Sequence, residues 1–129
     1  MKLRKTRTVI GTLMLAGAAL ALNAGSASAF SWDHAKSYQG ARVYFEERGD
    51  IVKVCDTSKN GQAAEVNVYE NSPGDVGYTM TVNTGAGTCK SHRASHGNRY
   101  NLMEGNNAYF NLDGNGGGSS YTYRWLNDH

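Results

Sequence analysis

From Gly40 onward the apolar residues recur at every second position, and no ten-residue stretch carries the three-to-four spacing of an amphipathic helix. That single pattern decides the fold class. Val43 and Phe45 alternate with Arg42, Tyr44 and Glu46; after the tight turn Arg48-Gly49-Asp50, Val52 and Val54 alternate with Ile51, Lys53 and Cys55. The next turn, 56–61, ends in Asn60-Gly61, a pair that readily takes up positive φ. Ala64, Val66 and Val68 then alternate with Glu65, Asn67 and Tyr69, the most regular strand pattern in the chain. A loop from Asn71 to Asp75 holds the only proline, and Tyr78, Met80 and Val82 follow, interleaved with threonines.

The pattern weakens in the polar stretch Lys90 to Asn98, which reads as an exposed loop. Tyr100 and Leu102 open a further strand, Gly105-Asn106-Asn107 turns it, and Tyr109 to Leu112 returns. The run 113–120 carries four glycines, too much backbone freedom for the interior of an element, and reads as a flexible loop. Tyr121, Tyr123 and Trp125 share one face of a closing strand, a face equally suited to core and to binding. About seven short strands with a turn roughly every 8–12 residues predict an all-β fold: a small antiparallel β-sandwich over residues 41–129. Residues 30–40 lack this alternation. They read as an N-terminal aromatic extension that either packs back onto the domain or inserts into a partner through Phe30, Trp32 and Tyr38.

The first 29 residues have the layout of an export signal. Lys2, Arg4, Lys5 and Arg7 form a positive start, Val9 to Leu22 an apolar run, and Ala27-Ser28-Ala29 a small-x-small cleavage pattern ahead of Phe30. The apolar run is about 14 residues, against the roughly 20 of a membrane span. This reading predicts a secreted, extracellular protein with no membrane attachment after cleavage. It also changes the electrostatics. The whole chain carries +2, but without the four basic residues of the signal the remainder is −2. The basic balance therefore belongs to the leader and gives no reason to expect nucleic-acid binding.

Cys55 and Cys89 are the only cysteines, and an exported chain meets an oxidising environment. A bridge between them closes a loop of about 35 residues, worth on the order of 3–4 kcal/mol by loop entropy. It joins either two sheets or two neighbouring strands, and the sequence leaves both open. Cys89, His92 and His96 also stand as C-x2-H-x3-H, but a disulfide removes the thiolate that zinc requires, so no metal site and no cofactor are expected. Asp56, Ser58, Asn60 and Gly61 match the opening of a calcium loop, yet the twelfth position is Asn67 where a bidentate Glu belongs; an ordinary turn explains the same residues. Secreted microbial ribonucleases of this size pair a Glu base with a His acid and Arg contacts, for which Glu65, His92 or His96, and Arg93 or Arg99 are available. Such enzymes pack a helix on their sheet, and none is expected here. No catalytic residue is assigned, and the chain is expected to be non-enzymatic.

Aromatic residues are the strongest positive feature. All eight Tyr, both Trp and all three Phe lie after residue 29. Tyr and Trp combine a large apolar area with a polar tip, a combination used at protein interfaces and sugar sites alike. Tyr44 and Tyr69 fall on the polar phase of their strands and join Phe30, Trp32 and Tyr38 as expected partner-binding residues.

The segments Gly49-Asp50 through Cys55-Asp56, Asn60-Gly61 and Ala64-Glu65-Val66, with the ending Trp125-Leu126-Asn127-Asp128-His129, are similar to small secreted single-disulfide β-domains of Streptomyces-like actinobacteria. The chain also resembles the small bridging subunit of the umbrella toxin particles that these bacteria secrete. That resemblance implies a short β-domain linking a lectin subunit to a stalk-bearing toxin protein through an inserted N-terminal segment. The expected function is thus a protein–protein adaptor in an extracellular assembly. Glycan or cell-wall binding through exposed Tyr and Trp is the alternative, and a small hydrolase using the histidine loop a third.

Overall fold

A computed structural model describes residues 30–71 and 76–129. The expected export signal, and the Ser72–Asp75 part of the proline loop, lie outside the described residues. Eight strands follow in chain order: β1 His34–Tyr38, β2 Ala41–Glu46, β3 Ile51–Asp56, β4 Ala64–Glu70, β5 Val76–Val82, β6 Cys89–His92, β7 Asn106–Asp113 and β8 Tyr121–Asn127. Two single-turn 3-10 helices, Ala94–His96 and Asn98–Tyr100, sit between β6 and β7. The strands form two four-stranded antiparallel sheets, ordered β1-β2-β3-β6 and β5-β4-β7-β8. Among the described residues no helix is long and apolar enough to cross a membrane.

The period-two pattern becomes the core. Val43 and Phe45 of β2, Val52 and Val54 of β3, Val66 and Val68 of β4, and Phe110 and Leu112 of β7 are fully buried between the sheets. Phe45 and Phe110 meet across the interface with ring centroids 5.0 Å apart. β-branched residues dominate because a pleated, half-buried surface suits their restricted χ1. The intervening residues Arg42, Tyr44, Lys53, Glu65, Asn67 and Tyr69 face outward.

The structure departs from the sequence reading in three places. First, residues 34–38 are not an extension but the edge strand β1, in register with β2 from His34↔Phe45 to Tyr38↔Ala41. The turn between them uses Gln39 and Gly40, both at positive φ. Gly40 is required there, because a Cβ would lie 2.9 Å from the Ser58 Cβ and 3.1 Å from the Gly114 carbonyl oxygen. Second, Cys89–His92 is a strand rather than a loop. It looks polar because it is a sheet edge with little buried on either face.

Third, Tyr100 and Leu102 do not open a strand. Tyr100 ends a 3-10 turn, and Leu102 is buried in a loop whose N–H donates to Asp50 Oδ2 at 2.9 Å. Asn106 and Asn107, expected in a turn, already belong to β7. The expected disulfide is formed, and of its two open arrangements it takes the one within a sheet: Cys55 and Cys89 sit directly opposite each other on β3 and β6, with Cα atoms 4.1 Å apart.

Candidate functional site

The pairing Tyr44↔Lys53 sets an aromatic ring of β2 beside an ammonium of β3 on the outer face of the first sheet. The chain entering β1 lays Trp32 over both. Its ring centroid is 5.2 Å from that of Tyr44, and Phe30 meets Trp32 edge-on at 4.8 Å. Lys53 Nζ lies 4.3 Å from the Tyr44 centroid and 4.7 Å from that of Trp32, within cation–π range of two rings at once. The Arg42 guanidinium also lies over the Tyr44 ring, 5.1 Å from its centroid. Phe30 is 58% exposed, among the most exposed large apolar side chains described. The result is a continuous face of three aromatic rings and two cations.

Of the five residues expected to bind a partner, three are therefore brought together: Phe30, Trp32 and Tyr44. Tyr38 is not with them. It lies on the inner phase of β1, packed against the core and 5.9 Å from Tyr121 of β8. Tyr69 stands on β4 opposite Tyr109, on the outer face of the other sheet. The closing face is divided. Tyr123 and Trp125 pack against the core, whereas Tyr121 remains 53% exposed. Burial, followed by the neighbouring Tyr121 and Tyr38, raises the Tyr123 phenol above its ordinary value, and its OH donates to the Ser37 carbonyl at 2.9 Å.

A second constellation has no local signature in the sequence. Glu47, just past β2, is buried with only 7% exposure. Its Oε1 pairs with His34 Nε2, its Oε2 lies 3.6 Å from His129 Nε2, and its own N–H donates to Asp33 Oδ2 at 2.9 Å. Asp128 stands close enough that one donor atom each from Glu47, Asp128 and His129 fall within 4.8 Å of one another. The histidines come from opposite ends of the described chain, so only three-dimensional structure joins them.

The histidine loop is built differently from the hydrolase expectation. The His92 ring stacks on Tyr100 at 4.0 Å, and its Nδ1 is 3.2 Å from His96 Nδ1. Burial, then the charges of His96 and Lys90, lower the His92 imidazole below its ordinary 6.5. Glu65 is not brought to these histidines; it faces outward from β4, where Thr81 Oγ1 donates to it. In the turn 56–61, Asp56 Oδ1 accepts from the Ser58 N–H at 3.0 Å and Asn60 Oδ1 from the Gln62 N–H at 2.9 Å. Those oxygens close the turn on itself.

In comparisons with known proteins, no family model, no curated protein and no solved structure matches this chain.

Proposed function

We propose that this protein is a non-enzymatic binding module, secreted by way of its N-terminal signal, that acts as a protein–protein adaptor in an extracellular assembly. The observation that carries this reading is the Phe30–Trp32–Tyr44 face with Lys53 and Arg42 held against it. Aromatic and arginine side chains are the residues that most often dominate interface energetics, and here they are adjacent and partly pre-ordered. The fit is to a protein surface with an apolar pocket for Phe30 and Trp32, and carboxylates able to meet Lys53 and Arg42. A bridging role of the toxin-particle kind agrees with the Cys55–Cys89 disulfide, a bond suited to an oxidising exterior.

Deleting residues 30–40 would remove strand β1 and its packing, so loss of binding after that deletion would carry no information. Trp32→Ala with Tyr44→Ala alters the face and leaves the strand in place. Untagged wild-type and double-variant proteins are isolated from the native host with an antibody, sized, and checked for co-purifying chains. A stoichiometric partner held by the wild type and lost from the double variant supports the adaptor. A wild type that runs alone at its own mass refutes a stable assembly.

Glycan binding is the second reading, and one observation favours it. Exposed Tyr121 stands between Tyr38 and Tyr123, near Gln39 and Ser119, whose polar groups are already hydrogen-bonded together. An aromatic ring rimmed by amides and hydroxyls suits a sugar face. Retention on cell-wall polysaccharide that is lost in Tyr121→Ala and kept in the Trp32/Tyr44 double variant would select this reading over the adaptor.

A further inference from the structure

Glu47, Asp128 and His129 make up a mixed nitrogen and oxygen donor set around a carboxylate that folding has already buried. Glu47 is held from three sides: His34 takes Oε1, Asp33 takes the N–H, and His129 approaches Oε2. His34 is itself fixed, its ring lying flat on Trp125 at 4.9 Å and 8°. The remaining oxygen, Oε2, is thereby aimed at the end of β8.

The separation there has the dimensions of a shared ion. His129 Nε2 to Glu47 Oε2 is 3.6 Å, beyond a good hydrogen bond. Two donors bound tetrahedrally to one zinc ion at about 2.0–2.1 Å stand roughly 3.3–3.4 Å apart. The third donor, from Asp128, lies within the same 4.8 Å envelope. One imidazole with two carboxylates suits zinc and its neighbours, whereas calcium and magnesium favour oxygen-only shells with six or more ligands. A ligating carboxylate whose second oxygen is held by a hydrogen bond is the usual outer-shell arrangement, and His34 supplies that bond.

We propose that Glu47, Asp128 and His129 bind one divalent ion of the zinc class, with His34 as the residue that orients Glu47. The ion clips the segment after β2 in one sheet to the segment after β8 in the other. It ties the two sheets together in a fold whose disulfide lies within a single sheet. Three protein donors leave a fourth position open to water or to a donor from outside.

The test uses tag-free protein stripped with chelator and titrated with zinc chloride, read by calorimetry and by thermal unfolding. Glu47→Gln is unsuitable alone because the residue is buried, so the decisive variants are the exposed His129→Ala and Asp128→Asn. His92→Ala with His96→Ala serves as the control, since that pair is the other place where two imidazole nitrogens converge. The expected result is one equivalent bound by the wild type, with zinc raising its melting temperature. Affinity falls at least tenfold in each of the two site variants and stays unchanged in the control, as expected when metal ligands are lost. A wild type that binds no zinc by about 0.1 mM overturns the site. So does binding that persists in either site variant or disappears in the control.

Discussion

The imidazole of His34 lies flat on the indole of Trp125, with centroids 4.9 Å apart and planes 8° from parallel. His34 belongs to the first strand of one sheet and Trp125 to the last strand of the other, so this stack closes one open side of the sandwich. Trp125 also meets Phe110 at 4.9 Å, Tyr123 at 5.9 Å and Phe45 at 6.4 Å.

Truncating that ring removes the lid from the aromatic part of the core. Trp125→Ala is expected to destabilise the protein by about 3 kcal/mol, a large aromatic deletion at a partly exposed site. Equilibrium urea unfolding measures it. In a double-mutant cycle with His34→Ala, the coupling between the two rings should be about 0.5–1.5 kcal/mol.

Among the described residues strand β6 pairs only with β3, and the disulfide joins those two strands. Reduction should therefore cost about 3–4 kcal/mol of stability, the loop-entropy value for the 34-residue separation of the cysteines. Amide hydrogen exchange should show the damage unevenly. Protection is lost first across residues 89–100, while β4 and β7 at the centre of the other sheet keep theirs.

Asp50 is the most consequential buried carboxyl. It is 2% exposed, adopts φ +51°, and accepts from the Leu102 N–H and from Asn127 Nδ2 at 3.0 Å. Burial raises its carboxyl above the ordinary 3.8, only partly offset by those two hydrogen bonds. The unfolded chain thus gives up this proton at lower pH than the folded one. Any stability linked to it is full below about pH 3.8 and declines as pH rises through the folded value. Asp50→Asn should remove that decline and stay within about 1 kcal/mol of wild type at pH 7, since Asn tolerates left-handed backbone. The unpartnered Oδ1 of Asn127 can then accept from the new amide after a flip. Asp50→Ala strands two buried donors and should cost about 2–4 kcal/mol. Urea unfolding at a series of pH values separates the three proteins.

His92 titrates below 6.5, chiefly through burial and secondarily through His96. A base depressed in the folded state contributes stability that is present above pH 6.5 and is lost as pH falls through its folded value. In His96→Ala, the His92 midpoint followed by NMR should move upward but stop short of 6.5, because the larger cause remains. A full return to 6.5 would mean that charge repulsion, rather than burial, had set the value.

The central strands were legible because their two faces differ: Ala64, Val66 and Val68 point inward and Glu65, Asn67 and Tyr69 outward, and the alternation survives in the letters. The edges were not. β1 reads His-Ala-Lys-Ser-Tyr and β6 Cys-Lys-Ser-His; β1 covers its inner face with His34 and Tyr38 rather than with aliphatic residues, and β6 is largely uncovered, so neither displays a hydrophobic phase. Leu102 misled in the opposite direction, being buried by a loop that Asp50 pins rather than by a sheet. Phe30, Trp32 and Tyr44 could be picked out one by one from composition and strand phase. Their convergence with Lys53 depends on strand register, and the meeting of His34, Glu47 and His129 depends on how the sandwich closes. Neither is a property of any short window of sequence.

Both tryptophans of the chain now have different addresses: Trp32 on the outward aromatic face beside the Lys53 amine, and Trp125 stacked at the closed side of the core. They divide the molecule's fluorescence between two events. With Trp32→Phe, the remaining emission follows the opening and closing of the sandwich. With Trp125→Phe, it follows whatever lands on the face. The protein carries its own pair of optical probes, one for folding and one for the proposed binding face, and no dye has to be attached to read them apart.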